Sequence, residues 1–459
     1  MLVSIIVKII VSIGGYSMND KVKTSRKKLY LSMIKLAIPL IISNFLQNLY
    51  NLADTYYMGK LGGIELATAS FTSPITQMII GAGTGFSLGG GVILSQTFGS
   101  KNIKKLVEVN TQLIVVNMVI AIIITVLSFG FCEKILVFSG ATGVLLEKSS
   151  LYIKFIFLTI PMTFIVTAYT VIKNSKGKTS APLHLITVSV ILNIILNSFF
   201  IYKMNLGLKG IGIATVIANL LLCIYCLIDL SIKREIAREY LKFNKDIFKK
   251  ILRLGFPSSL TTTTNSLSFI LINIFVVKYG NDVLAAYGVG NRINNIIYVL
   301  VNGIGSSVAI LVGHSIGAGK IKEIREILLA GIKIGLIVGT VSVIFLYWNL
   351  DIAVGILTSD EMIKYHSINY LKIMLISVIP WVIFQVLAGV FQGTGHTTFN
   401  MYCHVGRIWI FRVPFIYFLE RILELKEYSI WSSMLLRNLC ALLFSIFLYR
   451  KIDWKRRED

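Results

Sequence analysis

Charge is scarce in this chain of 459 residues: Asp, Glu, Lys and Arg make up 15% of it, against roughly 25% in soluble domains. Acids are scarcer still, 22 against 45 Lys and Arg. A chain so poor in charge cannot cover a water-facing surface of its own size. Cysteine is sparse too, and Cys132, Cys223, Cys226, Cys403 and Cys440 carry no disulfide spacing. Cys223-Ile-Tyr-Cys226 lies inside an apolar run, so packing is the expected role. There is no P-loop, Walker-type acid, zinc-protease motif or nucleophile elbow. Gly393-Thr-Gly-His396 ends an apolar run with no strand before it, which excludes a phosphate loop. His184, His314, His396 and His404 lack a carboxylate at helical spacing, so no enzyme and no cofactor is expected.

What is present is apolar. Hydrophobic residues make up 55% of the chain, the mean hydropathy is +0.77, and runs recur that are long enough for a hydrocarbon core of ~30 Å, about 20 residues each. They predict twelve helices near 34–58, 66–96, 109–131, 150–172, 182–202, 210–231, 254–279, 284–315, 328–349, 368–392, 400–419 and 429–449. The expected fold is an all-α integral membrane protein within the lipid bilayer of the cell membrane. All seven prolines lie in or at the ends of these runs, where helices bend.

The net charge of +23 sits in short blocks between apolar runs. That is the positive-inside pattern rather than a basic face for nucleic acid. The blocks are Lys21 to Lys35, Lys101 to Lys105, Lys173 to Lys178, Lys233 to Arg253, Lys320 to Arg325 and Arg450 to Arg457; Glu133, Glu147, Asp351, Asp360 and Glu427 collect on the other side. Both termini are therefore expected in the cytoplasm. Leu2 to Ile13 is too short to span and precedes its basic block, the reverse of a signal peptide, so Met18 reads as an alternative start.

The halves superpose with a constant shift of 218 residues: Pro39 on Pro257, Gly62 on Gly280, Leu66-Ala67 on Leu284-Ala285, Gly85 on Gly303, Gly99 on Gly317, Gly177 on Gly395 and Thr179 on Thr397. Duplication explains this pattern. Six spans per copy return the chain to its starting side, so two pseudo-symmetric six-helix bundles should face each other around a central cleft. The expected organisation is an N-terminal segment 1–30, a first bundle 31–232, a linker 233–253, a second bundle 254–450 and a tail 451–459, acting as a monomer.

A carboxylate in a span costs at least ~2.5 kcal/mol on insertion scales and invites a functional reading. Two acids qualify. Asp229, beside Lys233, reads as interfacial. Asp54 ends a stripe, Asn44, Gln47, Asn48, Asn51 and Asp54, that occupies one face of the first helix. The bland reading of that stripe is helix-to-helix hydrogen bonding, which requires no ionisable group. Asn193 and Asn197 share a face of the fifth span, and Thr215 lies early in the sixth. Neutral oxygens beside one carboxylate suit a small hard cation or a protonatable acid. The second half has no acid in its spans, only Thr261 to Thr264, Asn265, and the arginines Arg292, Arg407 and Arg412; Arg412, two residues before Pro414, is placed to bind carbonyls at a kink.

Pro39, Gln47, Asp54-Thr-Tyr-Tyr-Met-Gly59 with Leu66-Ala67, Asn193 to Thr215, Gly317-Ala-Gly-Lys320 and Phe391-Gln-Gly-Thr-Gly395 together resemble the multidrug and toxic compound extrusion (MATE) family, from about Leu31 to Arg450. The resemblance implies an antiporter that exports bulky amphipathic, cationic drugs and xenobiotics against inward H⁺ or Na⁺. It implies Asp54 as the coupling residue, with Asn193, Asn197 and Thr215 around a proton or Na⁺ and Gln47, Asn51 and Tyr152 as polar neighbours. Two departures matter. Asn197 stands where many members have an aspartate, and Asn265 and Val382 where some have acids, so coupling through two charges or through the second bundle is not expected. The rival reading is a flippase for lipids or lipid-linked oligosaccharides, to which Arg292, Arg407 and Arg412 lend some support.

Overall fold

A computed structural model of the chain describes residues 22–452. The readings on Met18 and on the tail beyond Ile452 lie outside the described residues. Its main helices are α1 (Val22–Leu61), α2 (Gly63–Gly99), α3 (Ile103–Gly130), α4 (Gly143–Ser175), α5 (Ser180–Ser198), α6 (Gly207–Ile232), α7 (Lys245–Val276), α8 (Asn281–Gly317), α9 (Glu323–Trp348), α10 (Glu361–Thr394), α11 (Thr397–Gly406), α12 (Val413–Arg421) and α13 (Glu427–Arg450). Among the described residues ten helices are individually long and apolar enough to cross a membrane. The path α11, π-turn Arg407–Arg412, α12 is one crossing and α7 another, which gives the expected twelve.

Most helices overrun their apolar cores, because a helix is ended by its caps and not by the edge of the lipid. The Asn102 side chain accepts from Lys105 N and that of Asp360 from Met362 N and Ile363 N, each pairing donors the helix leaves unused. Asn244 does the same for Asp246 N and Ile247 N, so α7 begins at Lys245, inside the stretch read as a linker. The π-turn has a chemical cause. Pro414 has no N–H for the Ile410 carbonyl, and the helix widens upstream of it.

Packing repeats the duplication. In the first bundle α4 takes α2, α3 and α6, while α1 packs on α5; in the second, α10 takes α8, α9 and α13, while α7 packs on α11. The turn after α4 and the turn after α10 both reverse through a left-handed glycine, Gly177 at φ +75° and Gly395 at φ +90°. Only glycine adopts that conformation without strain.

The bundles meet through symmetric pairs, α2 on α7 and α8 on α1, with α2 also crossing α8. Backbones come close along α2 and α7, where Gly89 abuts Gly255 and Gly85 abuts Ser259. Ser259 Oγ donates to the Ala82 carbonyl at 2.9 Å and Thr262 Oγ1 to that of Gly81 at 2.5 Å. At the lysine-rich end Gln96 Nε2 donates to the Gly393 carbonyl (3.1 Å), and His314 Nε2 meets that of Ser175 (2.7 Å). Every hydrogen bond between bundles recorded among the described residues lies between this end and mid-span, so the bundles are tied together there. A cavity of about 380 Å³ lies between the bundles, lined by Asn44, Thr84, Gln385, Gln392, Asn400 and His404 among others.

Asp229 sits at the lysine-rich end in a buried ion network, consistent with an interfacial role. Lys173 Nζ lies 2.7 Å from Asp229 and 2.8 Å from Glu235; Lys233 pairs with Asp229 at 2.6 Å and Lys176 with Glu235 at 3.3 Å. Burial works to raise the Glu235 carboxyl, but its bonds to Lys173 and Lys176 outweigh that and hold it below the usual range. Lys176 is itself lowered by burial, so the carboxylate is the partner that gains. A depressed carboxyl stabilises the fold above the ordinary glutamate value of about 4.3, and that contribution is lost as pH falls through the lower folded value. Lys173→Met leaves two buried acids short of a partner and should cost about 3–5 kcal/mol. Thermal unfolding in detergent would register it, along with a weaker fall in Tm below about pH 4 than in the wild type.

Candidate functional site in the first bundle

Asp54 is in the last two turns of α1, half-buried, with Tyr50 one turn before it. α5 packs along this part of α1 and brings up Asn193 and Asn197, both fully buried. Asn197 Nδ2 donates to Asp54 Oδ1 at 2.8 Å and to Asn193 Oδ1 at 3.0 Å, and Asn193 Nδ2 donates to the Tyr50 hydroxyl at 3.1 Å. One chain of hydrogen bonds thus runs from the carboxylate across α5 and back to α1. Its logic is local, since two asparagines four residues apart stack on one helical face and meet two α1 residues spaced the same way. One turn further along α1, Tyr57 OH bonds Ser198 Oγ (2.5 Å) and the Ile194 carbonyl (3.2 Å).

The third wall is α6. Thr215 and Asn219 lie beside the Tyr50 hydroxyl, Asn219 donates to the Thr215 carbonyl at 2.8 Å, and Thr215 Oγ1 is spent on the Ile211 carbonyl at 2.9 Å. Thr215 therefore joins the site through Tyr50 rather than by bonding Asp54. Tyr152 from α4 is buried near Asp54 and Tyr50 and packs with Tyr57, Met58, Ile201 and Ile211. Gln47 and Asn51 are exposed, and among the described residues neither side chain makes a hydrogen bond with this network. Gln47 and Asn51 share a helix face with Asp54 but not its contacts.

Tyr50 and Asn219 were missed in the sequence. Each is one turn from a residue that was singled out, Tyr50 before Asp54 and Asn219 after Thr215, and that spacing was the available signal.

Chemically, the Asn197 amide turns its N–H side to Asp54, as an ionised carboxylate requires. Its Oδ1 is buried without a partner, which is costly unless a ligand or a reorientation uses it. One carboxylate, amide oxygens, a phenol and a threonine form a donor set that fits a hard cation and equally fits a carboxyl that takes up a proton. Among the described residues no group of three or more His, Cys, Asp or Glu is placed to hold a metal ion.

Comparison with known proteins bears on the fold and the family. The MatE family model matches twice, over 39–199 and 257–418, with the copies starting 218 residues apart as in the internal repeat. A probable multidrug resistance protein, YoeA, of Bacillus subtilis is 26% identical over 447 residues, 95% of this chain and 96% of that protein. The multidrug export protein MepA of Staphylococcus saprophyticus is 24% identical over 428 residues, 92% and 94% of the two chains. A solved outward-facing conformation of a multidrug resistance MATE family transporter of the MOP superfamily has the same fold, with TM-score 0.87, 21% identity, and coverage of 95% of this chain and 98% of that one. Two tandem matches over most of the sequence, on two bundles built alike around one cleft, make the chain a member of the MatE family of multi-pass membrane transporters.

Proposed function

We propose that this protein is a cation-coupled antiporter that exports bulky amphipathic, cationic drugs and xenobiotics by alternating access, with Asp54 as the coupling residue. It works as a monomer in the plasma membrane with both termini in the cytoplasm. Relatives named for multidrug resistance and multidrug export support the substrate class. The lysine-rich blocks support the orientation, and with it the hydrogen-bonded end of the cleft faces the cytoplasm.

The observation that carries the reading is the hydrogen-bond chain from Asp54 through Asn197 and Asn193 to Tyr50. It makes the packing of α1 against α5 depend on the charge of one carboxylate. A cation arriving from outside, H⁺ or Na⁺, neutralises Asp54; Asn197 then no longer needs to present its N–H, and its unpartnered Oδ1 can turn inward. If the ion is Na⁺, Asp54, Asn193, Asn197 and Thr215 with Tyr50 would hold it. Ion and drug need no common site, only different affinities for the two states of the cleft.

Proteoliposomes with a proton gradient and a sodium gradient imposed separately test this and name the ion. Export of a lipophilic cation should follow one of the two gradients. Equal export with neither gradient, or with ATP alone, contradicts it.

A further inference from the structure

The second bundle holds a buried cluster of the opposite charge. Arg407 and Arg412 of the π-turn and Arg437 of α13 are 6%, 2% and 5% exposed. Arg437 lies within electrostatic range of both Arg407 and Arg412. None of the ion pairs among the described residues involves any of the three.

Their donors are largely unused. Arg407 Nη2 reaches Asn265 Oδ1 at 3.3 Å, and its guanidinium lies 4.3 Å from the Trp381 ring centroid. Arg407 Nε and Nη1, Arg412 Nε and Nη2, Arg437 Nε and the nearby Tyr298 hydroxyl are buried without a partner. The structure records no bond from Arg412 to a carbonyl of the π-turn, so holding the kink does not account for it.

The place of this cluster is not arbitrary. The 218-residue offset lays Arg437 on Asn219, Ser433 on Thr215, Tyr370 on Tyr152 and Ile272 on Asp54. The second bundle therefore keeps the niche that holds the carboxylate in the first, replaces the acid with isoleucine and one amide with a cation, and adds two further arginines. His404 lines the inter-bundle cavity, packs on Phe384 at 5.0 Å and adjoins Arg407, which puts the arginine cluster next to the cleft.

Buried guanidinium groups with forked, unspent N–H donors and no internal acid match one ligand chemistry, a planar or tetrahedral oxyanion. We propose that the arginine cluster of the second bundle binds an anion of the carboxylate or phosphate type, admitted from the cleft past His404. A free inorganic anion and the charged end of an amphiphile share that chemistry.

The test is thermal unfolding of the full-length protein in nonionic detergent, titrated at constant ionic strength with inorganic phosphate, octyl phosphate or chloride. Wild type should show a saturable rise in Tm with a phosphate and none with chloride. Arg437→Gln should weaken apparent affinity tenfold or more. Asn265→Asp guards against a folding defect, because it keeps all three arginines and the side-chain volume and supplies an internal counter-ion to Arg407. That variant should be more stable than wild type without phosphate and should respond to it at least tenfold more weakly. Tighter binding of octyl phosphate identifies an amphiphile as the occupant, and equal binding identifies a free anion. No saturable response in wild type, or an unchanged response in Asn265→Asp, overturns the proposal.

Discussion

Asp54→Asn should insert and fold as the wild type does, yet lose gradient-driven export by about ten- to a hundredfold, the range that a coupling free energy of 1–3 kcal/mol commands. The replacement is nearly isosteric. It keeps a hydrogen-bond partner for Asn197 Nδ2, which sits 2.8 Å from the carboxylate, and removes only the capacity to change charge. Drug binding measured without a gradient should change far less than transport, because the ion and the drug are linked through the state of the cleft and not through a shared atom. Normal export by the variant would remove Asp54 from the mechanism.

The second large effect is expected at the hydrogen-bonded end. A Cβ added to Gly317 would lie 1.8 Å from the Gln96 carbonyl oxygen, and one added to Gly99 2.2 Å from that of His314. Both obstacles are backbone and cannot swing aside. Overpacking of this kind costs about 1–3 kcal/mol, and at 1.4 kcal/mol per factor of ten it moves the balance between closed and open forms by one to two orders of magnitude. Gly317→Ala should therefore favour the form open at the lysine-rich end and slow export about tenfold. Gly130→Ala is the control, since nothing lies within 4 Å of the added atom. Spin labels at Lys104 and Lys320, both exposed there, should move apart in Gly317→Ala and stay in place in Gly130→Ala.

How far the sequence could be read follows from which forces act locally. Hydropathy located the crossings because each must be apolar over the lipid core, and the 218-residue repeat foretold the paired packing of two bundles. Helix ends were placed short, as at α7, whose start depends on the Asn244 cap and not on hydropathy. The interruption at Arg407–Arg412 was signalled by Pro414, although not its π geometry. Within the site, Asp54, Asn193 and Asn197 were legible from charge and four-residue spacing. Gln47 and Asn51 share that spacing but stay out of the network, because a stripe tells which residues share a face and not which neighbour the face meets. Tyr50, one turn from Asp54, becomes conspicuous only once α5 and α6 are in position.

The arginines show the same limit. Arg292 is exposed on α8, while Arg437, which the sequence reading passed over, is buried with Arg407 and Arg412. Nothing along the chain distinguishes these cases, since separate helices bring the buried three together. The duplicated architecture supplies the distinction by placing Arg437 where the first bundle has Asn219.

The claim that one carboxylate converts ion binding into movement can be checked without transport. Nitroxides at Ser139 and Ile356, exposed on acidic-side loops of the two bundles, report the width of the cleft mouth. In the wild type the distance distribution should change as protons or Na⁺ are added, and in Asp54→Asn it should be the same at every ion concentration. A cation-dependent shift that survives in Asp54→Asn, or no shift in the wild type, would contradict the mechanism.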